Sequence, residues 1–380
     1  MNNYIKFVVI ILLIFFTGCS GNSEEIENRQ FVTPENTEAT KAPELTKKPK
    51  NTETTKAPKI TKSDNTKQIR KKPIKIEAGY EHVLVLNEDG TVESWGSDYD
   101  GQCDAGKSNQ TKVPEGLSNV ISIAAGGFHS VALKEDGTIV CWGSNTDFYR
   151  RESNQCKPPE GIKAKAISAG LYHTVALTYD DTVVCWGSNT HPIDSSKLLD
   201  KDYEDIKYSC GQAMVPDKLN NIESIIGLDY STVAIRSDGK TCVWGDKKDL
   251  IEKLENIKDI DSGMDFFVYM TQKGELKVIG DNVYKVAQIP SNVKNVKSIS
   301  AGSVHISVIN QDGTVTSWGD NGCGKCNVPA GLKAKDIASG GDFTVAISED
   351  DTIVGWGRNS VGALDIPDIY KSQGNNVESN

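Results

Sequence analysis

Histidine, methionine and tryptophan are scarce in these 380 residues, at 5, 4 and 6 copies, and the longest unbroken apolar run is only Phe7–Phe16. A membrane-crossing helix needs about 20 apolar residues, so no segment reads as one. Helix-length apolar periodicity is missing as well. There is no phosphate-binding glycine loop, nucleophile elbow or paired-carboxylate pattern, and the sequence therefore offers nothing to catalyse with. Ser63-Asp64-Asn65 and Ser291-x-x-Lys294 match fragments of penicillin-recognising motifs, but one lies in a polar tract and the other on a rim. Asp98-Tyr99-Asp100-Gly101 begins like a calcium loop and lacks the later acidic ligand, so it reads as an acidic turn. The net charge of −10 hides an acidic body of −15 after residue 73, because residues 20–73 carry 12 Lys/Arg against 8 Asp/Glu and Lys6 adds one more positive charge. An acidic body repels phosphate backbones, which argues against a nucleic-acid partner.

The N-terminus reads as an export signal over residues 1–18: Lys6, the short apolar run, then Phe16-Thr17-Gly18-Cys19. That ending resembles a bacterial lipobox with Phe in place of the usual Leu. It implies lipidation at Cys19 and an anchor on the outer side of a bacterial membrane. Residues 19–73 hold Phe31 as their one aromatic and repeat Thr-Lys-Ala-Pro at 40–43 and 55–58. Too apolar-poor to build a core, they are expected to form a disordered stalk.

From Ile74 a pattern recurs: glycine, a short apolar strand, a tight turn, a second strand, then Trp-Gly. All six tryptophans, Trp95, Trp142, Trp186, Trp244, Trp318 and Trp356, occupy one position of it, and Ile279-Gly280 stands in for the remaining copy. Successive pairs are 47, 44, 58, 35, 39 and 38 residues apart, the span of one propeller blade. Asp-Gly at 89–90, 136–137, 238–239 and 312–313 predicts type I′ hairpin turns. Segments such as Val113-Pro114-Glu115-Gly116-Leu117 and Val328-Pro329-Ala330-Gly331-Leu332 suggest a fourth strand at the outer edge, where proline is tolerated. The expectation is an all-β, seven-bladed β-propeller of four-stranded blades. Its blades fall at about 74–119, 120–164, 165–221, 222–257, 258–295, 296–334 and 335–371, with a disordered tail at 372–380. The tryptophans are the expected structural filler between blades.

The combination Ala-Gly-x-x-His, Asp-Gly-Thr-Val, Trp-Gly and Val-Pro-x-Gly-Leu resembles the repeats of the regulator of chromosome condensation superfamily, above all its exported bacterial members. The resemblance runs from residue 74 to about 370. The founding member is a nuclear nucleotide-exchange factor that binds histones and a small GTPase, a role that an export signal and an acidic body argue against here. Another relative is a secreted inhibitor of β-lactamases. The resemblance implies a binding propeller without cofactor, with an inhibitor of a β-lactamase or transpeptidase-like enzyme as one alternative and a propeller lyase as another.

His82, His129, His173 and His305 share one repeat position, also taken by Phe266 and Phe343. They are expected to tie strands within their own blades rather than to share a metal. Cys103, Cys156 and Cys326 are placed at one repeat position, and Cys141 and Cys185 both precede a tryptophan. Repeat-locked cysteines read as small fillers, which leaves Cys323-x-x-Cys326 without a redox role. The first three repeats lengthen the connection after Trp-Gly, and the inserts should form a crest on one face. Phe148, Tyr149, Arg150, Arg151, Tyr203 and Tyr208 lie in this crest and are the residue types that anchor interfaces. The expected partner is an extracellular or envelope protein, bound by a monomeric propeller.

Overall fold

The computed structural model describes residues 70–99, 108–148, 150–190, 210–251, 254 and 256–372. Seven antiparallel sheets follow one another along the chain, each with its strands in sequence order. They are β1 (Pro73–Ala78), β2 (His82–Asn87) and β3 (Val92–Gly96); β4 (Val120–Ala125), β5 (His129–Lys134) and β6 (Ile139–Gly143); β7 (Ala164–Ala169), β8 (His173–Thr178) and β9 (Val183–Gly187); and β10 (Ile222–Gly227), β11 (Ser231–Arg236) and β12 (Thr241–Gly245). The last three are β13 (Ile257–Ser262), β14 (Phe266–Thr271) and β15 (Leu276–Gly280); β16 (Val296–Ala301), β17 (His305–Asn310) and β18 (Val315–Gly319); and β19 (Ala334–Ser339), β20 (Phe343–Ser348) and β21 (Ile353–Gly357). A single helical turn, α1 (Lys248–Ile251), follows the fourth sheet. Among the described residues no helix is long and apolar enough to cross a membrane.

Two sequence expectations are corrected. Each sheet has three strands, not four. The segment expected to be the fourth closes a turn instead, with the Leu117 amide on the Pro114 carbonyl at 3.2 Å and Leu332 on Pro329 at 3.1 Å. Proline brings no donor to a ladder, and the glycine two residues later takes a left-handed φ, 77° at Gly116, which curls the chain. The hairpin turns are also not type I′. Gly90 donates to the Asn87 carbonyl at 2.9 Å while Asn87 donates to Thr91 at 2.9 Å, so the loop has three residues and needs one positive φ. Gly90 supplies it at 73°, and Asp181 and Asp351 supply it at 62° and 65° where glycine is missing. Asp89 serves the turn differently: its carboxylate accepts the Thr91 amide at 3.0 Å and the Thr91 hydroxyl at 2.6 Å.

The seven sheets close into a ring. Tyr80 donates its amide to the Gly127 carbonyl of the next sheet, Gly127 to Leu171, and Leu171 to Asp229. Met264 donates to Ser303, Ser303 to Gly341, and Gly341 back to Tyr80. Glycine beside this bond is steric necessity, since a Cβ on Gly79 would lie 2.4 Å from the Gly126 carbonyl oxygen and 2.2 Å from the His82 ring. Blade four breaks the rule with Leu228, and it carries Ser231 where blade three places His173 and blade five Phe266. There Asp229 donates to the Ser262 hydroxyl at 3.1 Å instead of to a backbone carbonyl.

A core cluster lies at every junction. Leu84, Val120 and Trp142 pack between blades one and two; Val131, Ala164 and Trp186 between two and three. Trp244, Trp318 and Trp356 fill the equivalent places before blades four, six and seven. Trp95 packs with Val345 and Tyr370 where the last blade meets the first. The junction of blades four and five holds Val233, Ile257, Phe267 and Tyr269 with Ile279 beside them, and no tryptophan. Five indoles donate to a rim carbonyl of the preceding blade, as Trp142 does to Gln110 at 2.9 Å and Trp95 to Ala363 at 2.9 Å. Filler and clasp are thus one side chain.

Candidate interaction face

Three sets of residues meet on one end of the ring: the turns after the inner glycines, the connections that follow Trp-Gly, and the repeat histidines beneath them. The amides of Ser97, Ser144 and Ser188 donate to the carbonyls of Glu81, Phe128 and Tyr172 at 2.8–2.9 Å, which places each long connection beside the inner turn of its own blade. Each connection is stapled at its base by one side chain. Asp98 accepts the Thr111 amide at 3.0 Å, and Asn145 and Asn189 accept those of Cys156 and Ala213 at 2.8 Å. Asp98 is therefore committed to a loop staple. Gln110, Gln155 and Gln212 each reach back to a loop carbonyl, so the residue equivalent to Cys156 in blade one is Thr111 and not Cys103.

The second crest loop is a small hairpin, bridged between Thr146 and Glu152. Asp147 is buried and holds it together: its carboxylate accepts the Arg151 amide at 3.0 Å and pairs with the guanidinium at 2.9 and 3.0 Å. The same carboxylate accepts the Thr190 hydroxyl at 3.0 Å, which joins this loop to the base of the third. Arg150 turns the loop with a left-handed φ of 60°, its amide on the Asp147 carbonyl at 3.0 Å. Arg150 and Arg151 are exposed and Phe148 is half-buried. Tyr149, Tyr203 and Tyr208, like Cys19 and Cys103, lie outside the described residues.

Inside the crest runs an arc of aromatic rings that sequence reasoning missed. Tyr80 contacts Phe128 at 5.7 Å between centroids, Phe128 stacks on Tyr172 at 5.9 Å, and Tyr172 meets Tyr230 at 6.4 Å. The signal was available, because Phe128, Tyr172 and Tyr230 share one repeat position, just before the histidine or its replacement. Burial pushes the Tyr80 phenol up to about 12, with Ser303 of the sixth blade opposing. Acidic groups complete the circle. Lys325, fully buried, pairs with Asp320 at 2.8 Å and Asp342 at 2.5 Å, and Lys247 pairs with Asp265 at 2.7 Å. Burial raises the Asp229 carboxyl to about 6, with Lys247 opposing.

The histidines bond between blades, not within them. Nε2 of His82 meets the Ser130 hydroxyl at 3.1 Å, and His129, His173 and His305 meet Thr174, Thr232 and Thr344 at 2.8–2.9 Å. Ser130, Thr174 and Thr232 donate onward to the carbonyls of Gln110, Gln155 and Gln212, so each accepts the imidazole N–H. The reason is positional: histidine begins a strand whose neighbour across the junction carries a hydroxyl one residue further on.

Five segments of the chain, 74–102, 120–148, 164–191, 296–325 and 334–363, match the Regulator of chromosome condensation (RCC1) repeat, and residues 89–133 match a second description of the same repeat. Comparison with curated protein sequences finds no match. Among solved structures, the ectodomain of the Arabidopsis thaliana receptor kinase ACR4 is similar at 19% identity and a TM-score of 0.55, covering 78% of this chain and 98% of that one. The Physcomitrella patens receptor kinase CR4 ectodomain is similar at 16% identity and 0.56, over 76% and 73%. Prp20p of Saccharomyces cerevisiae, described with its binding to Gsp1p and histones, is similar at 20% and 0.54, over 73% and 83%. At these identities the likeness speaks to the fold: this is an RCC1-like propeller.

Proposed function

We propose that the chain is a non-catalytic binding module, a lipoprotein whose propeller is displayed on the outer side of a bacterial membrane and grips an envelope or extracellular protein through its crest. The observation that carries this reading is the Asp147 clamp. One buried carboxylate fixes the second crest loop to itself and to the third, and so holds Phe148, Arg150 and Arg151 in a set arrangement before any partner arrives. Preorganisation of this kind lowers the ordering cost of binding. Arginine and aromatic side chains are the usual energetic centres of protein interfaces. The relatives agree in kind, since Prp20p was crystallised with Kap60 bound and studied for its binding to Gsp1p and histones.

The test is capture with the full chain from envelope extract and culture fluid, followed by affinity measurement on the protein captured. Asp147→Ala and the pair Phe148→Ala, Arg150→Ala should each weaken binding at least tenfold. Lys273→Ala, in a hairpin turn at the opposite end, should leave it unchanged. Equal affinity for all four proteins contradicts the reading. For the anchor, Cys19→Ser should abolish incorporation of a fatty-acid label and release the protein from the membrane fraction.

A further inference from the structure

Cys141 stands in β6 immediately before Trp142, and Cys156 stands where the chain returns from the second crest loop. The same two repeat positions face each other in blade seven, where a Cβ on Gly355 would lie 2.6 Å from Cδ2 of Leu364. Across the blades these facing positions hold Ser94 with Thr111, Cys185 with Ala213, Val278 with Ala287, and Ser317 with Cys326. Only blade two has sulfur at both. Sγ of Cys141 lies 3.4 Å from the carbonyl oxygen of Gln155, the residue before Cys156, and the two thiols are close enough to perturb one another. Both backbones are fixed: Cys156 by its amide on Asn145 at 2.8 Å, Gln155 by its side-chain amide on Thr146 at 2.9 Å, and Cys141 by the β5 ladder opposite Val131. Both thiols are reduced and half-buried.

We propose that Cys141 and Cys156 are a disulfide-forming pair, and that the bond ties off the second crest loop. A low-molecular-weight disulfide such as oxidised glutathione is the oxidant. The Cys156 thiolate attacks one of its sulfurs and expels a thiolate, leaving a mixed disulfide. The Cys141 thiol then loses its proton and attacks Sγ of Cys156, expelling the second thiolate. The protein gives up two protons and two electrons, and the oxidant becomes two thiols. The bond closes a short covalent ring around Asp147, Phe148, Arg150 and Arg151, and its bearing on binding rests on the crest reading above. Burial and the neighbouring sulfur push the Cys141 thiol up, which withholds it from the first, bimolecular attack and leaves it to react only once Cys156 holds the mixed disulfide beside it.

The full chain, equilibrated with reduced and oxidised glutathione, is blocked with N-ethylmaleimide and digested with trypsin, which cuts at Arg150 and Arg151 between the two cysteines. The expected result is that the peptides bearing Cys141 and Cys156 are recovered joined and two hydrogens lighter than their sum. Amides between residues 145 and 154 should exchange at least tenfold more slowly in the oxidised protein. Cys156→Ser should return Cys141 to the alkylated pool and abolish the slowing. Recovery of both peptides fully alkylated in the oxidising buffer, or of either joined to a different cysteine, overturns the proposal. A crest that binds nothing would show only in the affinity assay and would leave this peptide map untouched.

Discussion

Every buried imidazole in this ring is matched to what the next blade offers it. Where the next blade has Ser130, Thr174, Thr232 or Thr344, the facing residue is histidine; where it has Ile306 or Val83, the facing residue is Phe266 or Phe343. Thr174→Val should therefore strand the His129 N–H in the core at a cost of about 1–3 kcal/mol. The double replacement His129→Phe, Thr174→Val copies a pairing the ring already uses, and it should recover most of that loss in urea unfolding. A double variant as unstable as the sum of its single changes would contradict the pairing rule. Burial pushes the four imidazoles down, to about 4 for His82 and His173 and about 3 for His129 and His305. With folded values below the ordinary 6.5, the unfolded chain gains protons that the folded chain refuses as pH falls. The stability these residues contribute is whole above about pH 6.5 and declines by about 1.4 kcal/mol per imidazole per pH unit below it, towards the folded values. Asp229 and Asp259, raised to about 6, and Asp261, raised to about 7, oppose that loss, since their burial penalty is relieved as pH falls through the same window. Proton NMR of the C2 resonances of the four histidines should show no titration between pH 7.5 and 5; a midpoint near 6.5 for any of them would refute its burial as a neutral group.

Among the elements, the junction of blades four and five departs most from the repeat. Leu228, Ser231, Phe267 and Ile279 replace the glycine, histidine, hydroxyl and tryptophan used at other junctions, and the Ser262 hydroxyl takes the amide that a carbonyl takes elsewhere. Its inner edge should open first. Hydrogen exchange should find the Asp229 amide less protected than those of Tyr80, Gly127, Leu171, Met264, Ser303 and Gly341, and Ser262→Ala should lower its protection further. Uniform protection around the ring would contradict a weak seam. How much of this was legible depended on range. Six tryptophans and seven turns in register announce the repeat because each is a local signal. The turn geometry was misjudged because Asp-Gly fits both two- and three-residue loops, and hydrogen bonds decide between them. The fourth strand was expected because proline is tolerated at a sheet edge, whereas the same Pro-x-Gly signal bends the chain into a turn. The histidine pairing was present in the sequence, but its partners stand 39 to 59 residues apart and only the ring brings them together.

At the scale of the whole molecule, closure depends on the chain's last described turn. Tyr370 is fully buried against Trp95, with ring centroids 6.1 Å apart, and its hydroxyl donates to Asn87 at 2.8 Å, which joins the final blade to the first. Tyr370→Ala should cost about 3–5 kcal/mol in unfolding free energy, and Tyr370→Phe about 1 kcal/mol. The crest was legible as a set of long connections with interface-type residues, whereas the Asp147 clamp was not, because Thr190 belongs to another blade. The contacts of the aromatic arc inside it are not visible in the sequence, because its rings meet only where neighbouring blades stand side by side. The central claim is that one end of the ring, the crest end, meets the partner. Its most direct test places a photo-crosslinking amino acid at position 148, and separately at position 136 in a hairpin turn of the opposite end, in the full chain exposed to its captured partner. Crosslinking from position 148 with none from 136 is the predicted result; crosslinking from 136 alone, or equally from both, would contradict it.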